Sequence, residues 1–161
     1  MQKNYWRFPA VLLSVSALTC FDAAPATAAE NKMAFSVDVA LSPKAAARLA
    51  ALNEKIAVAA YWFGEPTRAA RRHANEMGQI SLGTEEIRIP GTGGRAQITG
   101  QAAQAEHFGW VKDGAVQVNV NVFSARQSGP NNILACDLFE DAAALAHARP
   151  IPLLCKLIEE H

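Results

Sequence analysis

The clearest pattern in the chain is an alternation of apolar and polar side chains around residue 120. Residues 115–126 read AVQVNVNVFSAR, with valines at every second position and mainly amide side chains between them. Strict alternation with a period of two predicts a β-strand. One apolar and one amide-rich face predict that this strand belongs to a sheet packed on one side only.

Similar runs predict further strands along the chain. They cover residues 34–41, 55–63, 79–82, 85–89, 95–99, 108–111, 133–139 and 153–158. Residues 55–63 are apolar on both faces, which is typical of a central strand. Asp113-Gly114 predicts a hairpin that joins 108–111 to the strand at 115–126, and the glycine-rich turn at 90–94 predicts a second hairpin.

Short helices are expected between the strands. Ser42 and Pro43 are good residues for a helix start, so a helix is predicted to about residue 53. Residues 67–77 are predicted to form a short helix or an ordered loop, and residues 140–148 a short helix or turn. The expected fold class is all-β, a single antiparallel β-sandwich or curled sheet of roughly seven to nine strands with short helical insertions. The alternative is α+β, if the alanine-rich segments are packed helices.

The N-terminal residues have the organisation of a secretory signal peptide. Lys3 and Arg7 precede the short apolar run 10–18, and small residues follow at 24–29. This order predicts a signal peptide over residues 1–29 and a single β-rich domain over 30–161. We therefore expect a periplasmic or secreted protein without a transmembrane segment after signal removal. An alternative is that Cys20 is a lipid attachment site.

Removal of the signal peptide leaves two cysteines, Cys136 and Cys155. An even number of cysteines in an exported chain predicts a disulfide. The alternative is a pair of free thiols, although no C-x-x-C pair is present.

The net charge and the cysteine and histidine spacing limit the partners and cofactors that this chain is expected to bind. The formal net charge is zero, which argues against nucleic acid as a partner. No zinc-type spacing is present, so no metal and no cofactor are expected.

A candidate anion site for a sulfate, phosphate or acidic polymer is predicted from guanidinium side chains that would cluster on a helix over 67–77. These are Arg68, Arg71 and Arg72. The alternative interpretation is that these arginines simply form a solvated face of the segment.

No catalytic motif is found, so the leading hypothesis is an exported, non-catalytic binding module. The expected ligand is an envelope or secreted protein, or a cell-wall polymer. Residues 127–132 form a loop at the end of the best strand, where a rigid scaffold displays contacts. The predicted binding residues are Arg126, Ser128, Asn131 and Asn132, with Tyr61 and Trp62 as weaker candidates.

Two other functions are kept as alternatives. One is a small envelope hydrolase that uses His73 or His107 with a carboxylate. The other is a structural subunit of an envelope assembly, with Trp62 or Trp110 exposed as an anchor.

The outline also resembles small exported β proteins that inhibit lysozymes. Those proteins have a signal peptide, an antiparallel sheet, a disulfide near the C-terminus and a protruding loop that contains Ser-Gly. Ser128-Gly129 matches this feature at two positions, while Pro130 stands where an aromatic residue is expected. The resemblance lies at the level of the fold.

Overall fold

A computed structural model describes residues 31–160 of the chain. The predicted signal peptide, its cleavage sites and Cys20 lie outside the described residues. Within residues 31–160, no helix has the length and apolar character needed to cross a membrane.

Eight strands form two four-stranded sheets, which confirms the all-β prediction. The strands are β1 (Phe35–Leu41), β2 (Ile56–Gly64), β3 (Ile80–Ile89), β4 (Gly94–Ile98), β5 (Gln117–Ser124), β6 (Leu134–Cys136), β7 (Phe139–Ala142) and β8 (Ile151–Leu157). One sheet has the order β4-β1-β8-β6 and the other β3-β2-β5-β7. All neighbours are antiparallel except β1 and β8, which run parallel. The helices are α1 (Pro43–Ala51) and α2 (Ala143–Ala148).

The hydrophobic core consists mainly of buried side chains from both sheets, with a smaller contribution from α1, α2 and the connecting turns. In β5, alternate valines are buried while Gln117 and Asn121 are exposed, as the period-two pattern predicts. Strand β2 lies between β3 and β5, so its predicted central position is confirmed. Its core-facing residues, including Trp62, are fully buried. These two strands form the centre of one sheet, and their ends position the surface features described below.

Helix α1 begins where the sequence predicts. The Ser42 hydroxyl accepts a hydrogen bond from the Ala45 N–H at 3.0 Å, and Pro43 occupies the first turn. Ala45 and Leu49 are buried and attach the helix to the core. The cap satisfies an N–H that has no partner within the helix.

Both predicted hairpins are wrong. Asp113 and Gly114 have the positive φ angles, 55° and 64°, that the turn prediction requires. However, residues 105–110 and 112–114 form 3₁₀ turns, and β5 pairs with β2 and β7 instead. Because both edges of β5 are occupied, the preceding segment docks at the end of β2, where Val111 bridges to Pro66.

The glycine-rich turn at 90–94 connects two sheets. Residues 79–82 and 85–89 were predicted as separate strands, but they form the single strand β3, with a register shift opposite Trp62 and Phe63. Strand β3 pairs with β2, whereas β4 pairs with β1 in the other sheet. The turn therefore carries the chain across the sandwich.

The predicted disulfide is present between Cys136 and Cys155, with an S–S distance of 2.01 Å. The two residues face each other in the register of β6 and β8. Strand β6 has only three residues, so the covalent bond supplements a short hydrogen-bonded ladder. A stable disulfide is typical of an oxidising compartment.

Replacing both cysteines by alanine should lower the free energy of unfolding by about 3 kcal/mol, because the unfolded chain regains the entropy of a closed loop. Urea unfolding of the oxidised protein and the double variant measures this difference. Wild-type protein unfolded with a reductant is the control and should match the double variant. Equal midpoints for oxidised and cysteine-free protein would contradict the stabilising role of the bond.

Candidate functional site

The predicted binding residues lie in and around the connection between β5 and β6, at one end of the sandwich. Arg126, Ser128 and Asn131 are exposed, and Asn132 is partly buried. The structure therefore brings all four to one surface loop, residues 125–133. Their side chains nevertheless have different surroundings.

A buried carboxylate holds this loop. Glu54 is only 3% exposed. Its Oε1 accepts hydrogen bonds from the N–H groups of Gln127 at 3.0 Å and Lys55 at 3.1 Å. Its Oε2 accepts from the Ser128 N–H at 2.6 Å and also from the Ser128 hydroxyl.

These hydrogen bonds decide the charge of Glu54. Burial raises the pKa of this carboxyl group, but the hydrogen bonds from Ser128, Gln127 and Lys55 favour the ionised form and outweigh burial. The pKa of Glu54 is therefore below its ordinary value. A charged carboxylate inside the end of the sandwich provides four acceptor contacts for backbone and hydroxyl donors.

Glu54 is placed by the end of α1. Asn53 has a φ of 48°, and the Glu54 N–H donates to the Leu49 carbonyl at 2.9 Å. Gly91 in the β3–β4 turn also lies against this residue, because a Cβ atom there would be 2.1 Å from the Glu54 carbonyl oxygen. Three connections, α1–β2, β3–β4 and β5–β6, therefore meet at Glu54.

Asn132 closes the base of the loop. Its Oδ1 accepts from the Ser124 N–H at 2.9 Å, the Ser124 hydroxyl at 3.1 Å and the Leu134 N–H at 3.0 Å. Its Nδ2 donates to the Leu134 carbonyl at 2.8 Å. The Ser128 and Asn132 side chains thus hold the loop together. Asn131 is exposed, and the Arg126 guanidinium lies 5.5 Å from the Phe123 ring centroid.

A groove of about 330 Å³ runs beside the loop. Its lining combines apolar, amide and charged side chains: Arg48, Asn131, Asn132, Ile133, Leu157, Ile158 and Glu159. Ile158 is 55% exposed. Arg48, Glu54 and Glu159 were not among the residues predicted from the sequence. The only sequence signal for Glu54 was its position just before an apolar strand.

The weaker candidates Tyr61 and Trp62 point to opposite faces of β2. Tyr61 lies on the outer face, stacks on Phe63 with ring centroids 5.4 Å apart, and accepts a hydrogen bond from Asn75. Trp62 is fully buried and packs edge-on against Phe35. Burial removes Trp62 from the surface available to a partner.

The candidate anion site does not lie on an α-helix. Residues 67–74 form turns with one short 3₁₀ segment, Arg71–His73. Of the two predicted alternatives, a short helix or an ordered loop, the loop is therefore present and the α-helical spacing of the arginines is not. The three arginines, Arg68, Arg71 and Arg72, are all exposed on this turn. They lie beyond the last residue of β2, at the end opposite to Glu54.

The two histidines proposed for catalysis are brought together around Trp110. The rings of His73 and His107 lie nearly parallel to the indole, with centroid distances of 4.2 Å and 4.3 Å. The Arg72 Nε–H donates to His73 Nε2 at 3.1 Å. Within residues 31–160, His107 Nδ1 is buried without a hydrogen-bond partner. The same residues contain no group of three or more His, Cys, Asp or Glu side chains suited to a metal ion.

Comparison of the chain with protein-family models, curated proteins and solved structures found no match. A function is therefore inferred from the residues themselves, and chiefly from the loop that Glu54 holds.

Glu54→Gln should lower the free energy of unfolding by about 2 kcal/mol near pH 7, since a neutral amide replaces a charged acceptor of four hydrogen bonds. A carboxyl group whose pKa is lowered by folding stabilises the fold at pH values above its ordinary pKa, here 4.5. This contribution is lost as the pH falls through the folded-state pKa. The difference in unfolding free energy between the wild type and the variant should therefore become smaller at acid pH. Urea unfolding at several pH values measures it.

Glu86→Gln provides a matched control, because this glutamate is exposed on β3. It should change the unfolding free energy by less than about 0.5 kcal/mol. A Glu54→Gln deficit that stays constant from neutral to acid pH would show that the charge of Glu54 does not hold the loop.

Proposed function

We propose that this protein is an exported, non-catalytic binding module that recognises its ligand with the 125–133 loop and the adjacent groove. The ligand is an envelope or secreted protein, or a cell-wall polymer. The observation that carries the proposal is the buried Glu54 carboxylate, which is bonded to the backbone of an exposed, polar loop.

Holding a loop in one conformation has a direct effect on binding. A flexible loop loses conformational entropy when a ligand orders it, and a loop that is already ordered avoids that loss. Gln127 and Ser128 are bonded to Glu54, and Asn132 is bonded to Ser124 and Leu134. The loop therefore has fixed points at its middle and its base, while Asn131 remains exposed between them.

The groove favours a protein segment over a neutral glycan. Ile133, Leu157 and Ile158 offer apolar surface, and Arg48 and Glu159 add charges of opposite sign to the lining. Protein ligands present apolar and charged side chains together. Export is supported by the predicted signal peptide and by the disulfide, which suits an oxidising compartment.

No specific observation favours the other functions. The indole of Trp110 lies between the imidazoles of His73 and His107, and within the described residues neither imidazole is hydrogen-bonded to a carboxylate. Trp62 is buried, so the anchor role of a structural subunit would fall on Trp110 alone. Lysozyme inhibition is not part of the proposed function, because the Ser128 hydroxyl of the Ser-Gly pair donates a hydrogen bond to Glu54.

Asn131→Ala should weaken binding of the partner about tenfold without lowering stability, because Asn131 is exposed beside the groove. The partner is first isolated by passing envelope extract and purified cell-wall polymer over the immobilised, oxidised domain. Calorimetric titration then compares wild type with the variant. Asn121→Ala is the matched control, since this asparagine is exposed on the outer face of β5.

A combined variant extends the test to Arg126, Ser128, Asn131 and Asn132. If it bound the isolated partner with wild-type affinity, the loop would not be the binding site. Equal losses for Asn131→Ala and Asn121→Ala would also contradict the assignment, because the binding surface would then include the sheet face.

A further inference from the structure

A second surface lies at the opposite end of β2. The turn that follows β2 is wound around Ala70, which is 3% exposed and whose N–H donates to the carbonyl and hydroxyl oxygens of Thr67. The His73 N–H in turn donates to the Ala70 carbonyl at 2.9 Å. With Ala70 directed inward, the flanking arginines are displayed on the outside of the turn.

This turn is anchored to the segment that contains Trp110. The Thr67 N–H donates to the Trp110 carbonyl at 2.7 Å, and the Lys112 N–H donates to the Glu65 carbonyl at 2.8 Å. Gly64 allows the close approach, because a Cβ atom there would lie 2.4 Å from a methyl group of Val111. The backbone that carries the cations is therefore fixed.

Within the described residues, the three arginines of the turn form no ion pair. Residues 66–75 contain three arginines and no acidic residue. Among the described residues, ion pairs join Arg88 to Glu86, Arg95 to Asp38 and Lys112 to Glu65. None involves the three arginines of the turn. Glu76 and Glu106 lie in the same two segments, but beyond ion-pair distance from these arginines.

The ring stack next to the turn holds one of the side chains of the turn in place. His73 belongs to the turn itself and accepts from Arg72, and Trp110 separates it from His107. The stack fixes the His73 ring, so the adjacent Arg72 side chain has a defined neighbour. The result is an exposed surface of guanidinium groups with a fixed imidazole beside them, and the three arginines are named here the cationic turn: Arg68, Arg71 and Arg72.

We infer that the cationic turn binds a polysaccharide that carries sulfate or phosphate groups, at a site separate from the proposed loop site. Guanidinium groups match the oxygens of such anions with two parallel hydrogen bonds. Strand β2 has nine residues and rises about 3.3 Å per residue, so its two ends lie about 26 Å apart. One protein can therefore engage a polymer and a second ligand at the same time.

A polymer fits this surface better than a single ion. The arginines are exposed, and the attraction between exposed charges is weak and screened by salt. Several anionic groups along one chain would engage the arginines together, and each added contact raises the local concentration of the next. Inorganic sulfate should therefore bind far more weakly than a sulfated chain.

The test uses the mature, oxidised protein and dextran sulfate as the probe, with neutral dextran as its control. Binding is measured by calorimetric titration and by the intrinsic fluorescence of Trp110, while Trp62 remains buried in the core. Replacing Arg68, Arg71 and Arg72 by glutamine should weaken dextran sulfate binding at least tenfold, and should reduce its salt dependence. The charge-matched control replaces three exposed cations elsewhere: Lys32, Arg88 and Arg149. It should change the affinity less than twofold.

Single Arg71→Gln and Arg72→Gln variants should each give partial losses, and they test the inference even if the triple variant does not fold. Asn131→Ala should bind dextran sulfate as the wild type does. Equal losses in the two triple variants, no binding of dextran sulfate, or binding as tight to inorganic sulfate or neutral dextran would overturn the inference. Binding to phosphatidylglycerol vesicles without binding to dextran sulfate would also overturn it and would identify a membrane surface instead.

Discussion

The hydrogen bonds of Glu54 are the constraint on which one end of this sandwich depends. A carboxylate that is almost fully buried needs hydrogen-bond donors, because burial disfavours its charged form. Ser128, Gln127 and Lys55 supply them, and the donors from the loop are more than 70 residues away in sequence. Gly91 packs closely against the backbone carbonyl of the same residue. Three chain connections therefore meet at this one residue, through its side chain for the β5–β6 loop and through its backbone for the β3–β4 turn.

Strand β2 relates this end of the molecule to the other. It begins directly after Glu54 and Lys55, runs through the centre of its sheet and ends at the cationic turn. Its core-facing residues are fully buried, so the strand is a rigid spacer between two surfaces of different chemistry. The loop end offers a groove with apolar and amide groups, and the far end offers guanidinium groups that form no ion pair within residues 31–160. The two proposed binding sites would therefore lie at opposite ends of one central strand.

Local patterns predicted much of this fold, and long-range pairing accounts for what they missed. The valines of β5, the apolar faces of β2 and the Ser42 cap are local signals, and all three are present in the structure. The Asp113-Gly114 turn has the expected backbone angles, yet its strand partner is different, because β5 already pairs on both edges. The role of Glu54 depends on donors from a distant loop, which no local pattern reports. The stack around Trp110 likewise joins two segments that are distant in sequence.

The most direct test of the central claim is amide hydrogen exchange of the 125–133 loop, resolved by residue with NMR. If Glu54 holds the loop, the Gln127 and Ser128 amides exchange slowly in the wild type and become fast in Glu54→Gln, while the β5 amides stay protected. Their chemical shifts should also titrate together with the Glu54 carboxyl group. Exchange of both amides at the rate of an exposed, unbonded amide in the wild-type protein would contradict the account, because the loop would then not be held by the carboxylate.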